Sequence, residues 1–217
     1  MNGRVIILCA GEQERWQASY PKQLIRVTNN EVLLARTVRQ CRSRFSGEDP
    51  LIVSHLAPLR SYSNCSIIPK KRRYITETLL SSYPLWGTMW TIILLGDVYF
   101  SDETINTIIS NRDKKEYCFY GRVSEIYALT YTDKDIVASN LISVINNAEN
   151  SICRGKLWDL YYSLSGMPLS KSGEGRIPME ESFDEEHYVT IKDSTDDFDI
   201  VERYTQWHKE YVNNERS

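Results

Sequence analysis

The sequence predicts an α/β protein with a mixed, mainly parallel sheet. Two apolar runs, residues 4–10 and 91–96, are the strongest observations, because each is almost continuous in Val, Ile and Leu. Such runs are typical of central strands covered on both faces, as in parallel sheets. Helical patterns alternate with the strand-like segments of the first half, and this alternation is typical of an α/β fold.

The other elements follow in chain order. In the first half we expect a helix over 31–44, strands over 51–54 and 65–68, a short helix over 76–83, and a helix over 103–112 capped by Asp102. In the second half we expect an antiparallel pair over 117–121 and 125–131, helices over 134–148 and 156–164, a loop over 165–187, a strand over 188–191, and a helix over 200–211.

Length and composition limit the class of protein. A chain of 217 residues with 41% hydrophobic and 25% charged residues is expected to form one domain with a sizeable core. No apolar run approaches the ~18 residues of a membrane helix, so no membrane partner is expected. Five scattered cysteines without a C-x-x-C predict reduced thiols and a cytoplasmic location. A net charge of −3 gives no general attraction to nucleic acid.

The two parts of the chain differ in charge. Residues 1–73 carry 13 Lys/Arg and 5 Asp/Glu, a net of +8, whereas residues 74–217 carry 13 and 24, a net of −11. Such asymmetry is found in proteins with a charged tail. It also fits two parts of one active site with different roles, and the sequence leaves both interpretations open.

The loop after the first predicted strand is the first candidate site. Gly11 follows the strand, and Arg15 and Lys22 lie further along. A glycine here lets the backbone approach a phosphate, free N–H groups form an anion-binding nest, and two cations can hold a polyphosphate. A plain surface turn with solvated Arg and Lys explains the same residues about equally well. The dinucleotide pattern G-x-G-x-x-G is absent.

The second candidate site is acidic. Asp97 follows Gly96 at the end of a predicted strand, where its carboxylate could bind Mg²⁺. If residues 197–199 are extended, Asp197 and Asp199 share one face and could supply further ligands. A turn aspartate and a solvated acidic loop are the competing interpretations.

Six segments together resemble a known family. They are Leu8-Cys9-Ala10-Gly11-(x3)-Arg15-Trp16-(x4)-Pro21-Lys22-Gln23-Leu24, residues 33–38, 77–82, 94–100, 125–129, and 195–199 with the helix after it. In this order they resemble the nucleotidyltransferases with a glycosyltransferase-A-like fold, a group that includes the sugar-phosphate nucleotidylyltransferases and MobA-like NTP transferases. The resemblance implies a Rossmann-like three-layer sandwich in one domain, 1–217, with a nucleotide-binding half over 1–112 and an acceptor-binding half over 113–217.

The same resemblance implies an activity and its residues. It implies that a nucleoside monophosphate passes from an NTP to a small phosphorylated acceptor, with Mg²⁺ or Mn²⁺ as cofactor and with pyrophosphate released. A homo-oligomer is compatible with this assignment. The implied roles are catalysis by Arg15 and Lys22, nucleotide binding by Ala10, Gly11, Glu12, Thr78 and Gly96, metal binding by Asp97, Asp197 and Asp199, and acceptor binding by Glu125.

Two departures leave other functions open. Gln13 stands where the family commonly has a second glycine, and Glu14 replaces a usual small residue. A non-catalytic nucleotide-binding or regulatory protein on this fold is therefore one alternative. A glycosyltransferase that uses a nucleotide-sugar is another, although Gly96-Asp97-Val98-Tyr99 lacks the Asp-x-Asp expected there. The basic run 70–73 is open to three interpretations: a solvated loop, a phosphate contact or a nucleic-acid patch.

Overall fold

The structure is a computed structural model, and it describes residues 2–11, 16, 18–28, 30–45, 48–123, 125–169, 186–198 and 200–211. Its strands are β1 Gly3–Leu8, β2 Leu51–Val53, β3 Ser66–Ile67, β4 Trp90–Leu95, β5 Val98–Tyr99, β6 Tyr117–Arg122, β7 Glu125–Tyr131, β8 Tyr188–Thr190 and β9 Asp196–Asp197. Its α-helices are α1 Leu33–Arg44, α2 Ala57–Arg60, α3 Ile75–Leu80, α4 Asp102–Asn111, α5 Lys134–Glu149, α6 Leu157–Leu164 and α7 Val201–Tyr211.

Within the described residues, seven strands form one sheet in the order β3-β2-β1-β4-β7-β6-β8. β7 runs antiparallel to both of its neighbours, and the other pairs are parallel. The chain proceeds outward from β1 to β2 and β3 and then returns to place β4 on the other side of β1. This reversal is a topological switch point, where open α/β sheets bind ligands beyond the carboxyl ends of the strands.

Helices cover both faces of the sheet. Alternate side chains of β1 point to opposite faces, so Val5, Ile7 and Cys9 pack with α1, α2 and α4. Ile6 and Leu8 pack on the other face with α3, α5 and α6. The predicted three-layer α/β fold with a mixed, mainly parallel sheet is confirmed.

The predicted antiparallel pair is found as β6 and β7. The other helices and the strand predicted for the second half are found as α5, α6, β8 and α7, with ends shifted by one residue. The predicted cap of α4 is wrong. Ser101 is the N-cap, since its hydroxyl accepts the Thr104 N–H at 2.9 Å. Asp102 instead lies in the first turn and pairs with Arg44 at 2.8 Å. Most of the loop expected over 165–187 lies outside the described residues.

Among the helices that the structure describes, none is long and apolar enough to cross a membrane.

Candidate functional site

The segments after β1 and β4 lie side by side at the switch point. The two strands are parallel and Leu8 is in register with Leu95, so Ala10 and Gly11 emerge beside Gly96 and Asp97. The topology therefore places the two predicted sites at one crevice.

Gly96 is required by packing. Its N–H donates to the Leu8 carbonyl at 2.9 Å, and a Cβ at this position would overlap with Cys9 Sγ. Burial, and to a lesser extent the Asp97 carboxylate, raises the pKa of the Cys9 thiol well above its usual range. Burial thus favours the neutral thiol, and Cys9 packs closely against Gly96.

Gly11 is exposed. A Cβ there would meet no atom of the described residues within 4 Å, and its φ is outside the left-handed region. Among the described residues, neither packing nor backbone conformation thus demands glycine at this position. Ala10 beside it is buried. Glu12 and Arg15, predicted to bind nucleotide and triphosphate, lie outside the described residues.

Lys22 lies in a 3₁₀ turn, Lys22–Leu24, and its side chain is only 4% exposed. The ammonium contacts the Asp197 carboxylate directly and lies 3.5 Å from Asp97 Oδ2. The side chains of Asp97 and Asp197 are 29% and 18% exposed. The structure therefore brings together one cation and two carboxylates that the sequence singled out separately.

A two-stranded ribbon brings Asp197 to this position. β5, directly after Asp97, pairs antiparallel with β9, and Val98 is opposite Asp197. The segment before β9 is anchored as well, because the Ser101 N–H donates to Thr195 Oγ1 at 3.0 Å. Backbone pairing thus places Asp197 opposite the residue that follows Asp97.

Besides the hydrophobic clusters on the two faces of the sheet, a third hydrophobic cluster holds these segments together. Its buried members are Trp16, Ile25, Val27, Leu33, Phe198 and Trp207. Trp207 of α7 packs on Tyr99 of β5 and on Phe198, with ring centroids 4.5 and 4.8 Å apart. The Tyr204 hydroxyl donates to the Arg26 carbonyl at 2.6 Å. Since the cluster joins residues on both sides of Lys22 to those after β9, it positions Lys22 against Asp197.

Asp193 fixes the start of the acidic segment. Its carboxylate accepts hydrogen bonds from the hydroxyls of Ser101 and Thr104 and from the Thr195 N–H. Burial by itself would raise the pKa of Asp193, but these three hydrogen bonds outweigh it and lower the pKa. The ionised carboxylate is therefore the form that the fold stabilises.

We expect Asp193→Asn to lower the free energy of unfolding by about 1.5–3 kcal/mol at pH 7, because hydrogen bonds to a charged group are lost. A carboxylate with a lowered pKa contributes stability above its unfolded pKa of about 3.9, and this is lost as the pH falls through the folded value. The difference from wild type should therefore shrink near pH 3. Urea titrations at pH 7 and pH 3 measure this difference in the free energy of unfolding.

Asp113→Asn is the control, since this exposed carboxylate lies 3.8 Å from Arg112. An equal loss at both pH values would contradict the assignment.

Glu125 lies at the same edge of the sheet, at the start of β7. Its carboxylate accepts a hydrogen bond from the Tyr127 hydroxyl at 3.2 Å and lies 4.0 Å from Arg203 of α7.

Arg122, at the end of β6, lies 3.6 Å from Asp196 of β9. Charged side chains from β6, β7 and β9 thus lie near one another. Sequence reasoning missed Arg122, although a cation at the end of a strand beside Glu125 was a signal.

Two other features predicted from the sequence, Thr78 and the basic run 70–73, make contacts within the protein. Thr78 is buried in α3, and its hydroxyl donates to the Tyr74 carbonyl. In the basic run, Lys71 and Arg73 are exposed and lie 3.8 and 3.0 Å from Glu149 of α5. This pairing favours the interpretation of the run as a solvated loop.

The donors present suit a hard divalent cation. Asp97 and Asp197 offer carboxylate oxygens, while Asp199 lies outside the described residues. In the part of the chain that the structure covers, no group of three or more Asp, Glu, His or Cys could hold a metal ion. Mg²⁺ is often bound by one or two carboxylates together with substrate phosphates and water. Asp97 and Asp197 match this mode of Mg²⁺ binding, and these two residues do not by themselves complete the coordination of the ion.

Solved structures of nucleotidyltransferases share this fold. A Bacillus anthracis protein assigned as a glucose-1-phosphate thymidylyltransferase matches with a TM-score of 0.63 at 14% identity, over 95% of this chain and 94% of that one. UTP-bound UGPase from Acinetobacter baumannii matches with a TM-score of 0.63 at 12% identity, over 97% and 93%. Bifunctional IspDF from Campylobacter jejuni matches with a TM-score of 0.50 at 15% identity, over 65% of this chain and 43% of that one.

No protein-family profile and no curated protein sequence matches the chain. At these low identities the structural matches establish the fold. The chain has the fold of the sugar-phosphate nucleotidyltransferases, and the resemblance predicted from its sequence is confirmed at that level.

Proposed function

We propose that the chain is a metal-dependent nucleotidyltransferase that transfers a nucleoside monophosphate from an NTP to a small phosphorylated acceptor, such as a sugar phosphate. The contact of the Lys22 ammonium with Asp97 and Asp197 at the switch point carries the proposal. Phosphoryl transfer depends on positioning and on charge neutralisation, for which a cation and metal-binding carboxylates are the recurring groups. The shared fold supports the same class of reaction.

In the proposed reaction an oxygen of the acceptor's phosphate attacks the α-phosphorus of the NTP. A new P–O bond forms, the bond from the α-phosphorus to the bridging oxygen of the β-phosphate breaks, and pyrophosphate leaves with that electron pair. No side chain acts as nucleophile, which agrees with the neutral, buried thiol of Cys9. Bringing two phosphorylated substrates together in the right orientation supplies much of the rate acceleration.

Each residue of the crevice has a proposed role. Lys22 binds a phosphate oxygen next to the reacting phosphorus, and the exposed backbone at Gly11 would offer N–H groups to the triphosphate. Asp97 and Asp197 would hold Mg²⁺ or Mn²⁺. The metal, when bound, would supply neutralisation of the negative charge on the phosphate oxygens. Arg15 and Asp199 keep the roles that the resemblance implies.

We assign the acceptor to the edge formed by β6 and β7. Glu125, with Tyr127 beside it, presents carboxylate oxygens that could accept hydrogen bonds from acceptor hydroxyls. Arg122 at the end of β6 adds a cation at the same edge. Groups of this kind suit a polar, hydroxyl-bearing acceptor such as a sugar phosphate.

The test has two stages. Thermal unfolding is first followed with each of the four NTPs and Mg²⁺, because a ligand that binds only the folded state raises the apparent stability. The NTP that stabilises the protein is then incubated with a panel of sugar 1-phosphates, and pyrophosphate release is measured. A midpoint raised by nucleotide-sugars and by none of the NTPs would favour a glycosyltransferase. Nucleotide binding without turnover of any acceptor would favour the non-catalytic alternative.

A further inference from the structure

The Lys22 ammonium contacts both carboxylates that are proposed as metal ligands. It contacts the Asp197 carboxylate directly and lies 3.5 Å from Asp97 Oδ2, so it bridges the two carboxylates proposed as metal ligands. The lysine side chain is almost completely buried. The ammonium therefore already provides part of the positive charge that these two carboxylates require.

We propose that Lys22 acts as a placeholder for the cation, so that the site takes up a divalent metal together with a nucleoside triphosphate and binds the metal alone only weakly. This inference rests on the proposed function. It defines the substrate of the site as the metal–nucleotide complex, and it assigns to Lys22 the coupling between the two components.

The electrostatics explain why metal alone binds weakly. A divalent ion that joins the carboxylates while the ammonium stays would stand within a few ångströms of another cation. If the ammonium leaves, a buried lysine gives up its contacts with these two carboxylates, which is strongly unfavourable. Either arrangement lowers the affinity for metal, although two carboxylates are present.

A triphosphate removes this obstacle. Its oxygens accept hydrogen bonds from the ammonium, and lysine is a common phosphate ligand of the point-charge type. The flexible four-carbon stem lets the ammonium turn from Asp197 to a phosphate without movement of the backbone. The carboxylates then become available to the metal that arrives with the phosphates. By linkage, nucleotide must raise the affinity for metal by the same factor as metal raises the affinity for nucleotide.

The experiment measures Mn²⁺ binding by electron paramagnetic resonance, and nucleotide binding by calorimetry with and without Mn²⁺. The probes are Mn²⁺ alone and the four α,β-methylene NTP analogues, which cannot release pyrophosphate. In the wild type we expect a coupling factor of about 5–150 between metal and the analogue that binds. Lys22→Met, which keeps the apolar stem and removes the charge, should bind Mn²⁺ alone about tenfold or more tightly and show a smaller coupling factor, if the coupling has this typical size.

Lys192→Met is the matched control, because it removes one positive charge from an exposed position shortly before β9. Its Mn²⁺ affinity and its coupling factor should remain those of the wild type. An effect equal to that of Lys22→Met would mean that net charge, not the position of Lys22, controls metal binding. That result would overturn the proposal.

Different results would contradict the placeholder role of Lys22 and the proposed nucleotidyltransferase function. If the wild type binds Mn²⁺ alone as tightly as with nucleotide, the placeholder role is overturned while nucleotide binding stands; this measurement needs no variant. If Lys22→Met binds Mn²⁺ more tightly but no analogue binds to either protein, Lys22 competes with the metal, but the coupling to nucleotide and the proposed function both fail.

Discussion

Replacing Asp97 with Asn is expected to lower metal-dependent pyrophosphate release by about 10²–10³-fold, the effect typical of removing one electrostatic group from a reacting centre. The amide keeps the shape of the side chain but removes a charge that would hold the cation beside the phosphates. The side chain is 29% exposed and its contact with Lys22 is 3.5 Å, so the fold should persist. Activity is measured with the nucleotide and acceptor found in the screen, over a range of Mg²⁺ concentrations.

The control is Glu103→Gln. This exposed carboxylate lies in the first turn of α4, only six residues further along, and its replacement removes the same charge. It should retain wild-type turnover. If Asp97→Asn also retained wild-type turnover with an unchanged Mg²⁺ requirement, Asp97 would not be a metal ligand.

Replacing Trp207 with Ala is expected to lower the free energy of unfolding by about 3–5 kcal/mol, the usual cost of removing a buried tryptophan. Trp207 is 5% exposed and packs on Tyr99 of β5 and on Phe198, which directly follows β9. Since the ribbon places Asp197 against Lys22, nucleotide binding should weaken as well. Urea denaturation followed by circular dichroism measures the stability, and calorimetry measures the nucleotide affinity.

Gln206→Ala serves as the comparison for Trp207→Ala. Gln206 precedes Trp207 on the same helix, and its side chain is exposed and bonds to Glu210 at 3.0 Å. A surface change of this kind should alter stability by no more than about 0.5 kcal/mol. If both variants had the same stability and nucleotide affinity, α7 would not position the crevice.

The charge asymmetry has a structural explanation. The basic first part of the chain is no tail, since it supplies β1, β2 and β3 of the sheet. Several of its cations pair with acids of the second part, as Arg44 does with Asp102 and Lys22 with Asp197. Of these pairs, the one made by Lys22 lies at the switch point. The interpretation of two parts of one site therefore stays a prediction that rests on Lys22, and an exposed pair such as Arg44–Asp102 contributes little to stability.

Patterns of neighbouring residues explain which strands and turns could be predicted from the sequence. The apolar runs of β1 and β4, and the glycine that follows each, are visible because a strand covered on both faces needs consecutive apolar residues. The cap of α4 was misplaced by one residue, because Ser101 and Asp102 are both good N-caps. Backbone geometry, which the sequence does not display, selects Ser101.

Residues close together in the chain predict the α/β class, the two loops at the carboxyl ends of β1 and β4, and the candidate roles of Lys22 and Asp97. The tertiary structure alone decided that Lys22 meets Asp197, 175 residues away. The strands that bring them together, β5 and β9, have two residues each and no detectable periodicity. Their pairing depends on the third hydrophobic cluster, whose members come from both ends of the chain and meet only on folding.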